Sequence, residues 1–219
     1  MIMVKFALSA LASYLIGAIP FALIVSKCMA GIDISKYGSG NIGGTNVLRV
    51  LGKRAGAIAM ALDVMKGVAA VFTARAIVGD SVLVVAGIPM NWQYAQVIAA
   101  LMVMVGHNWS VYIKFRGGKG VAAYYGSWIA IWPLAAIFGG LILILTVLRS
   151  RYMSLGSILS CLGILCLFMV LTVVRNIPPV YLVYSLVAAA LIIYQHRKNI
   201  ARLQAGTELR VDQRVNIDS

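Results

Sequence analysis

Charged residues divide this chain into long uncharged stretches. None lies between Lys5 and Lys27, between Lys119 and Arg149, between Arg151 and Arg175, or between Arg175 and Arg197. Of 219 residues, 62% are hydrophobic and 11% charged, with a mean hydropathy of +0.93. Soluble domains average about 25% charged residues. The chain therefore reads as an all-α, polytopic membrane helical bundle. A crossing needs about 20 apolar residues, and the spans fall at 4–26, 55–78, 93–112, 120–132, 134–148, 155–174 and 179–195. One long helix over 120–148 competes with the fourth and fifth. The basic clusters on either side of that region, Lys114, Arg116 and Lys119 before it and Arg149 and Arg151 after it, decide for two helices. Both clusters belong inside by the positive-inside rule, so the chain crosses an even number of times between them, and Pro133 supplies the turn. The N-terminus is then outside and the C-terminus cytoplasmic. Residues 1–205 form a single transmembrane catalytic domain, and 206–219 a short polar cytoplasmic tail.

No cleavable-signal pattern opens the chain. The net charge of +13 does not point to nucleic acid, because the basic residues lie in short loops and the tail, with no stacking aromatics among them. Cys28, Cys161 and Cys166 lack metal-type spacing and read as small hydrophobes. Two histidines and six scattered carboxylates do not make a metal set, so neither metal nor other cofactor is expected.

Polar chemistry gathers in a few places. Ser39, Gly40, Asn41, Gly43, Gly44, Thr45 and Asn46, with Arg49 behind them, make a phosphate cradle: small residues let the backbone aim N–H groups at one anion. An ordinary polar turn is the plain alternative. Gly106-His107 leads to Lys114 through Gly120, whose glycines allow close anion approach around Lys119. It is no Walker A loop, since the spacer is missing and Val121 stands where Ser or Thr would hold magnesium; a basic membrane anchor is the alternative there. Arg149 to Ser154 is a basic loop with a serine at a helix start. His196, Asn199 and Arg202 share one face of a helix continuing past the last span. Asp63 and Lys66 form a buried i, i+3 pair, costly unless mutual, and so structural or supporting. Asp63 is the only acid expected inside the bundle.

These features suit acyl transfer between two phosphorylated partners by positioning and electrostatics. The chain resembles the membrane-integral acyl-phosphate:glycerol-3-phosphate acyltransferase family of bacteria. The blocks that carry the likeness are Gly38 to Arg49 with Asp63 and Lys66-Gly67, Gly106-His107 through Val121, and His196 through Glu208. The family commonly has Ala where Gly44 stands, a change expected to be harmless, and Phe-Pro where this chain has Trp109-Ser110. The resemblance implies transfer of an acyl chain from acyl phosphate to the 1-hydroxyl of glycerol 3-phosphate, giving lysophosphatidic acid and phosphate as the first step of phospholipid synthesis. It implies no metal and no coenzyme A thioester. Ser39, Gly40, Asn41, Gly43 and Thr45 would hold the acyl-phosphate head. Arg49, Lys119 and Ser154 would bind glycerol 3-phosphate, and His196 and Asn199 would stand at the reacting centre. Asp63, Lys66, His107, Asn46 and Arg202 would support them. Whether His196 or a substrate phosphate takes the hydroxyl proton stays open. The expected setting is the bacterial cytoplasmic membrane, with the site facing the cytoplasm, membrane lipid around it and no obligate protein partner. The rival is a transporter of a phosphorylated metabolite. A carrier should hold its site near the midplane, whereas these clusters share one surface.

Overall fold

The computed structural model describes residues 1–214. Its helices are α1 (Ile2–Ala18), α2 (Phe21–Ala30), α3 (Gly44–Leu51), α4 (Lys53–Val78), α5 (Trp92–Asn108), α6 (Val121–Ile131), α7 (Pro133–Ser150), α8 (Met153–Arg175), α9 (Pro179–Gln195) and α10 (Arg197–Gln204). The protein is nearly all-α, as expected. Among the described residues, four segments are long and apolar enough to cross a membrane: Ile2–Ala30 taken through its break, α4, α7 and α8. The bent pair α9–α10 makes a fifth.

Prolines and caps explain most of the departures from the expected spans. The first span is two helices, because Pro20 has no N–H and the chain turns at Ile19–Pro20. At Pro133, α6 has ended at Ile131 and α7 starts, so the two-helix reading holds over the single long helix. The expected span over 93–112 stops at Asn108, where the backbone leaves for the Gly117–Gly120 loop. α10 does not continue α9: the two meet at His196 with a 60° bend. No strand was expected, yet β1 (Leu83–Val85) and β2 (Ile88–Met90) pair antiparallel. Ala86 and Gly87 between them both have positive φ, the two-residue turn that fits a hairpin. The tail expected over 206–219 is described as far as Arg214, and residues 215–219 lie outside the described residues.

Small residues let the helices meet closely. A Cβ on Gly67 of α4 would strike the Ala123 carbonyl, and one on Gly126 of α6 would strike the Val64 carbonyl; the two backbones touch there, as membrane helices do at small residues. This contact fixes the short α6, and with it the Gly120 entrance, against α4. Beneath lies an aromatic core: Trp128 stacks on Phe168 at 4.5 Å and packs against Tyr184 at 4.8 Å, tying α6, α8 and α9 together.

Candidate active site

The helix ends that carry polar residues converge on one cavity of about 340 Å³. It is lined by Ser39, Asn41, Gly43, Thr45 and Asn46 from the first block, with Arg49, and by Lys119 and Gly120 from the second. Ser154 and Ser157 of α8, with His196, Asn199 and Glu208, complete the polar lining. Apolar residues such as Met60, Val64, Leu143 and Ile144 share the same lining.

The first block folds as a turn feeding a helix. Gly40 is left-handed at φ +69° and stays out of the cavity wall, closing the turn. Asn46 is the brace: its Oδ1 accepts from the Ser39 N–H at 3.0 Å, and its Nδ2 donates to the Ile34 and Tyr37 carbonyls. Gly43 caps α3, whose first residues Gly44 and Thr45 line the cavity; a helix N-terminus facing a cavity favours an anion. Gly44 is less exchangeable than its sequence suggests, because a Cβ there would run into the Met60 side chain. Alanine at 44 forces Met60 to shift, which corrects the expectation of a harmless change.

Arg49 is 7% exposed, and its guanidinium donates to the carbonyls of Leu209 at 2.8 Å and Arg210 at 3.1 Å. The chain after α10 therefore returns over the site. It carries the residue that sequence reasoning missed. Glu208, 7% exposed, accepts from Ser154 Oγ at 2.8 Å and Asn199 Nδ2 at 2.6 Å on one oxygen, and from Arg202 Nε at 2.8 Å on the other. Burial alone would raise its carboxyl; the bonds from Asn199, Arg202 and Ser154 outweigh that and hold it below the usual carboxylate range. Asp63 is thus not the only buried acid. The one signal for Glu208 was its place at the end of the third block of resemblance.

Lys119 Nζ donates to Asn199 Oδ1 at 2.5 Å. Burial lowers its ammonium to about 8, Arg202 and Arg49 push the same way, and Glu208 opposes them. Gly120, at φ +81°, caps α6, and a Cβ there would press on the Asn108 side chain at 2.9 Å. His196 lies just past α9, 2% exposed. Its Nδ1 is 2.8 Å from the Ile192 carbonyl, so that nitrogen carries the ring proton, and Nε2 has no partner among the described residues. Burial, reinforced by Lys119, lowers the ring to about 4 and keeps it neutral.

Behind the cavity Asp63 pairs with Lys66 at 2.8 Å and with His107 Nδ1 at 3.5 Å. Lys66 also donates to the Ile19 carbonyl at 3.1 Å, where α1 breaks. His107 accepts the Gly118 N–H on its carbonyl at 3.0 Å, tying this network to the Lys119 loop. Asp63 and His107 reach the cavity wall; Lys66 and Arg202 stand behind it.

The chain matches the glycerol-3-phosphate acyltransferase family over residues 7–206. It is 44% identical to glycerol-3-phosphate acyltransferase 3 of Dehalococcoides mccartyi over 214 residues, 98% of this chain and 99% of that one. It is 43% identical to glycerol-3-phosphate acyltransferase 2 of Moorella thermoacetica over 207 residues, 94% and 98% of the two chains. Among solved structures it is similar to PlsY, an integral membrane glycerol 3-phosphate acyltransferase, with 34% identity and 94% of each chain covered. The TM-score is 0.80 against the glycerol 3-phosphate form and 0.79 against the lysophosphatidic acid form. The order of the three sequence blocks, their meeting in one cavity and these likenesses agree: this chain belongs to the glycerol-3-phosphate acyltransferase family.

Proposed function

We propose that the protein transfers an acyl chain from acyl phosphate to the 1-hydroxyl of glycerol 3-phosphate, giving lysophosphatidic acid and phosphate. The carrying observation is the lining of the cavity, where cations and hydroxyl groups stand beside apolar side chains. An acyl phosphate has that polarity. The α3 N-terminus with Ser39, Asn41 and Thr45 suits its phosphate, and Arg49, Lys119 and Ser154 suit the phosphate of glycerol 3-phosphate. The glycerol oxygen attacks the acyl carbonyl carbon, and the bond from that carbon to the phosphate oxygen breaks. His196, with Nδ1–H committed to Ile192, offers Nε2 as acceptor to the attacking hydroxyl. A ring held near 4 is a weak proton store, so the proton ends on the departing phosphate. Asn199 fixes Lys119 through Oδ1 and answers to Glu208 through Nδ2. Positioning and electrostatics drive this reaction without calling on a metal, coenzyme A or a protein partner.

The reading includes seven crossings, N-terminus outside, in a bacterial cytoplasmic membrane with the cavity mouth facing the cytoplasm. It is supported by the basic residues around that mouth, which the positive-inside rule assigns to the cytoplasm. Purified protein in detergent tests the chemistry. Acyl phosphate should release phosphate and form lysophosphatidic acid only when glycerol 3-phosphate is present. Product formed from acyl-coenzyme A but not from acyl phosphate would reject the donor.

A further inference from the structure

α7 carries adjacent glycines that it uses differently. A Cβ on Gly139 would run into Ile164 and Ser160 of α8, so this glycine lets α7 and α8 pack closely. A Cβ on Gly140 would meet nothing within 4 Å, although Gly140 lines the cavity. Glycine weakens a helix interior relative to alanine, and no contact at 140 calls for it.

Gly139 is level with Ser160, six residues beyond Ser154 and so about 9 Å deeper along α8. At that depth the Tyr125 hydroxyl of α6 is hydrogen-bonded to Ser160 Oγ, and Tyr125 also lines the cavity. This pair lies across the deep end. On α7 Leu141, outside the lining, is 55% exposed, and Ile144, one turn from Gly140 and part of the lining, is still 53% exposed, so at Gly140 the cavity borders the outer, lipid-facing surface. The wall is thinnest where it has no side chain.

We propose that Gly140 determines acyl-chain length selectivity. Its bare backbone forms a lateral port through which the tail of a long chain leaves the cavity for the bilayer, while Tyr125 and Ser160 stop the chain from running deeper. The inference rests on the acyl-transfer reading above. A β-carbon at 140 meets no neighbouring atom and narrows the port, and a longer side chain closes it, so donors short enough to end above Tyr125 keep reacting and long ones do not.

The experiment compares octanoyl and hexadecanoyl phosphate as donors for purified wild-type, Gly140→Ala, Gly140→Leu and Leu141→Phe proteins. Gly140→Leu should lower kcat/KM for the long donor relative to the short one by about tenfold or more, the scale of steric discrimination in an apolar pocket. The KM for glycerol 3-phosphate should stay unchanged. Gly140→Ala should shift the ratio less in the same direction, and it carries the test if the leucine variant does not purify as a monodisperse protein. Leu141→Phe, facing outward, should leave the ratio alone. An unchanged ratio in the glycine variants, or an equal shift in Leu141→Phe, overturns the port. Wild-type protein that makes no lysophosphatidic acid from either donor overturns the reaction instead.

Discussion

Lys119 and Asn199, eighty residues apart in sequence, are joined by a 2.5 Å hydrogen bond from ammonium to amide oxygen. The amide nitrogen of the same asparagine donates to Glu208. A cation from a glycine-rich loop is thus aimed by a helix after the last span, and that helix by the strap that follows it. Lys119→Ala should lower kcat/KM for glycerol 3-phosphate by about ten- to a hundredfold, the worth of a hydrogen bond to a charged group. Folding should change little, since the side chain supports no apolar core. Steady-state kinetics with an unchanged KM and unchanged turnover would remove Lys119 from the phosphate site.

The same ammonium gives a pH dependence. Its cation is held at about 8, so the charged fraction falls as pH rises through 8. The alkaline limb of kcat/KM for glycerol 3-phosphate should therefore centre near 8 in the free enzyme. Any activity that remains in Lys119→Arg should lose that limb, because guanidinium stays charged throughout. An identical limb in the arginine variant would assign the titration to another group.

Glu208 should matter more for order than its place in a polar tail suggests. Glu208→Ala leaves Asn199 Nδ2, Ser154 and Arg202 without their acceptor, and the strap then loses its hold beside Arg49. Thermal stability and turnover should both fall, with Glu208→Gln intermediate. The native carboxyl is lower than in the unfolded chain, so its stabilisation is complete above the unfolded value and is lost as pH falls through the folded one. Glu208→Gln should therefore show a flatter stability curve at acid pH. Parallel curves for the two proteins would mean that the carboxylate is not held as the structure shows.

How far the sequence reaches is visible in these residues. The donors of the first block, Lys119 and His196 are concentrated in short polar gaps between apolar runs, and local composition exposes them. Pro133 likewise marks its own helix break. Glu208 does not announce itself, because its role depends on a reversal of chain direction at the end of α10 that no periodicity encodes. The 60° bend at His196 is equally silent: His196, Asn199 and Arg202 keep helical spacing whether or not the helix is straight. The β1–β2 hairpin was missed because six paired residues are too few for alternation to stand out, although Ala86-Gly87 is a turn pair.

Asp63 and Lys66 should behave as a structural pair. Removing one partner strands a buried charge, at a cost of about 3–5 kcal/mol, and here it also releases the Ile19 carbonyl or His107. Asp63→Ala alone should reduce expression or melting temperature more than Asp63→Asn with Lys66→Gln together. A single mutant as stable as the wild type would show that the pair does not hold the helices.

His196 and His107 both line the cavity, but their rings are held differently. His107 is turned to Asp63 through Nδ1, and its backbone carbonyl carries Gly118, which makes it part of the loop's support. His196 spends Nδ1 on its own helix and keeps Nε2 unpartnered among the described residues. Loss of a positioned acceptor for a moving proton lowers turnover by about 10²–10⁴-fold. His196→Ala should show that loss in a folded, monodisperse preparation, while KM for glycerol 3-phosphate changes little. Asn199→Ala should be milder, since Lys119 keeps its charge. His107→Ala should act chiefly on stability. An inactive His107→Ala beside a nearly active His196→Ala would exchange the two roles. Full activity in both would leave the substrate phosphate as the sole acceptor of the proton.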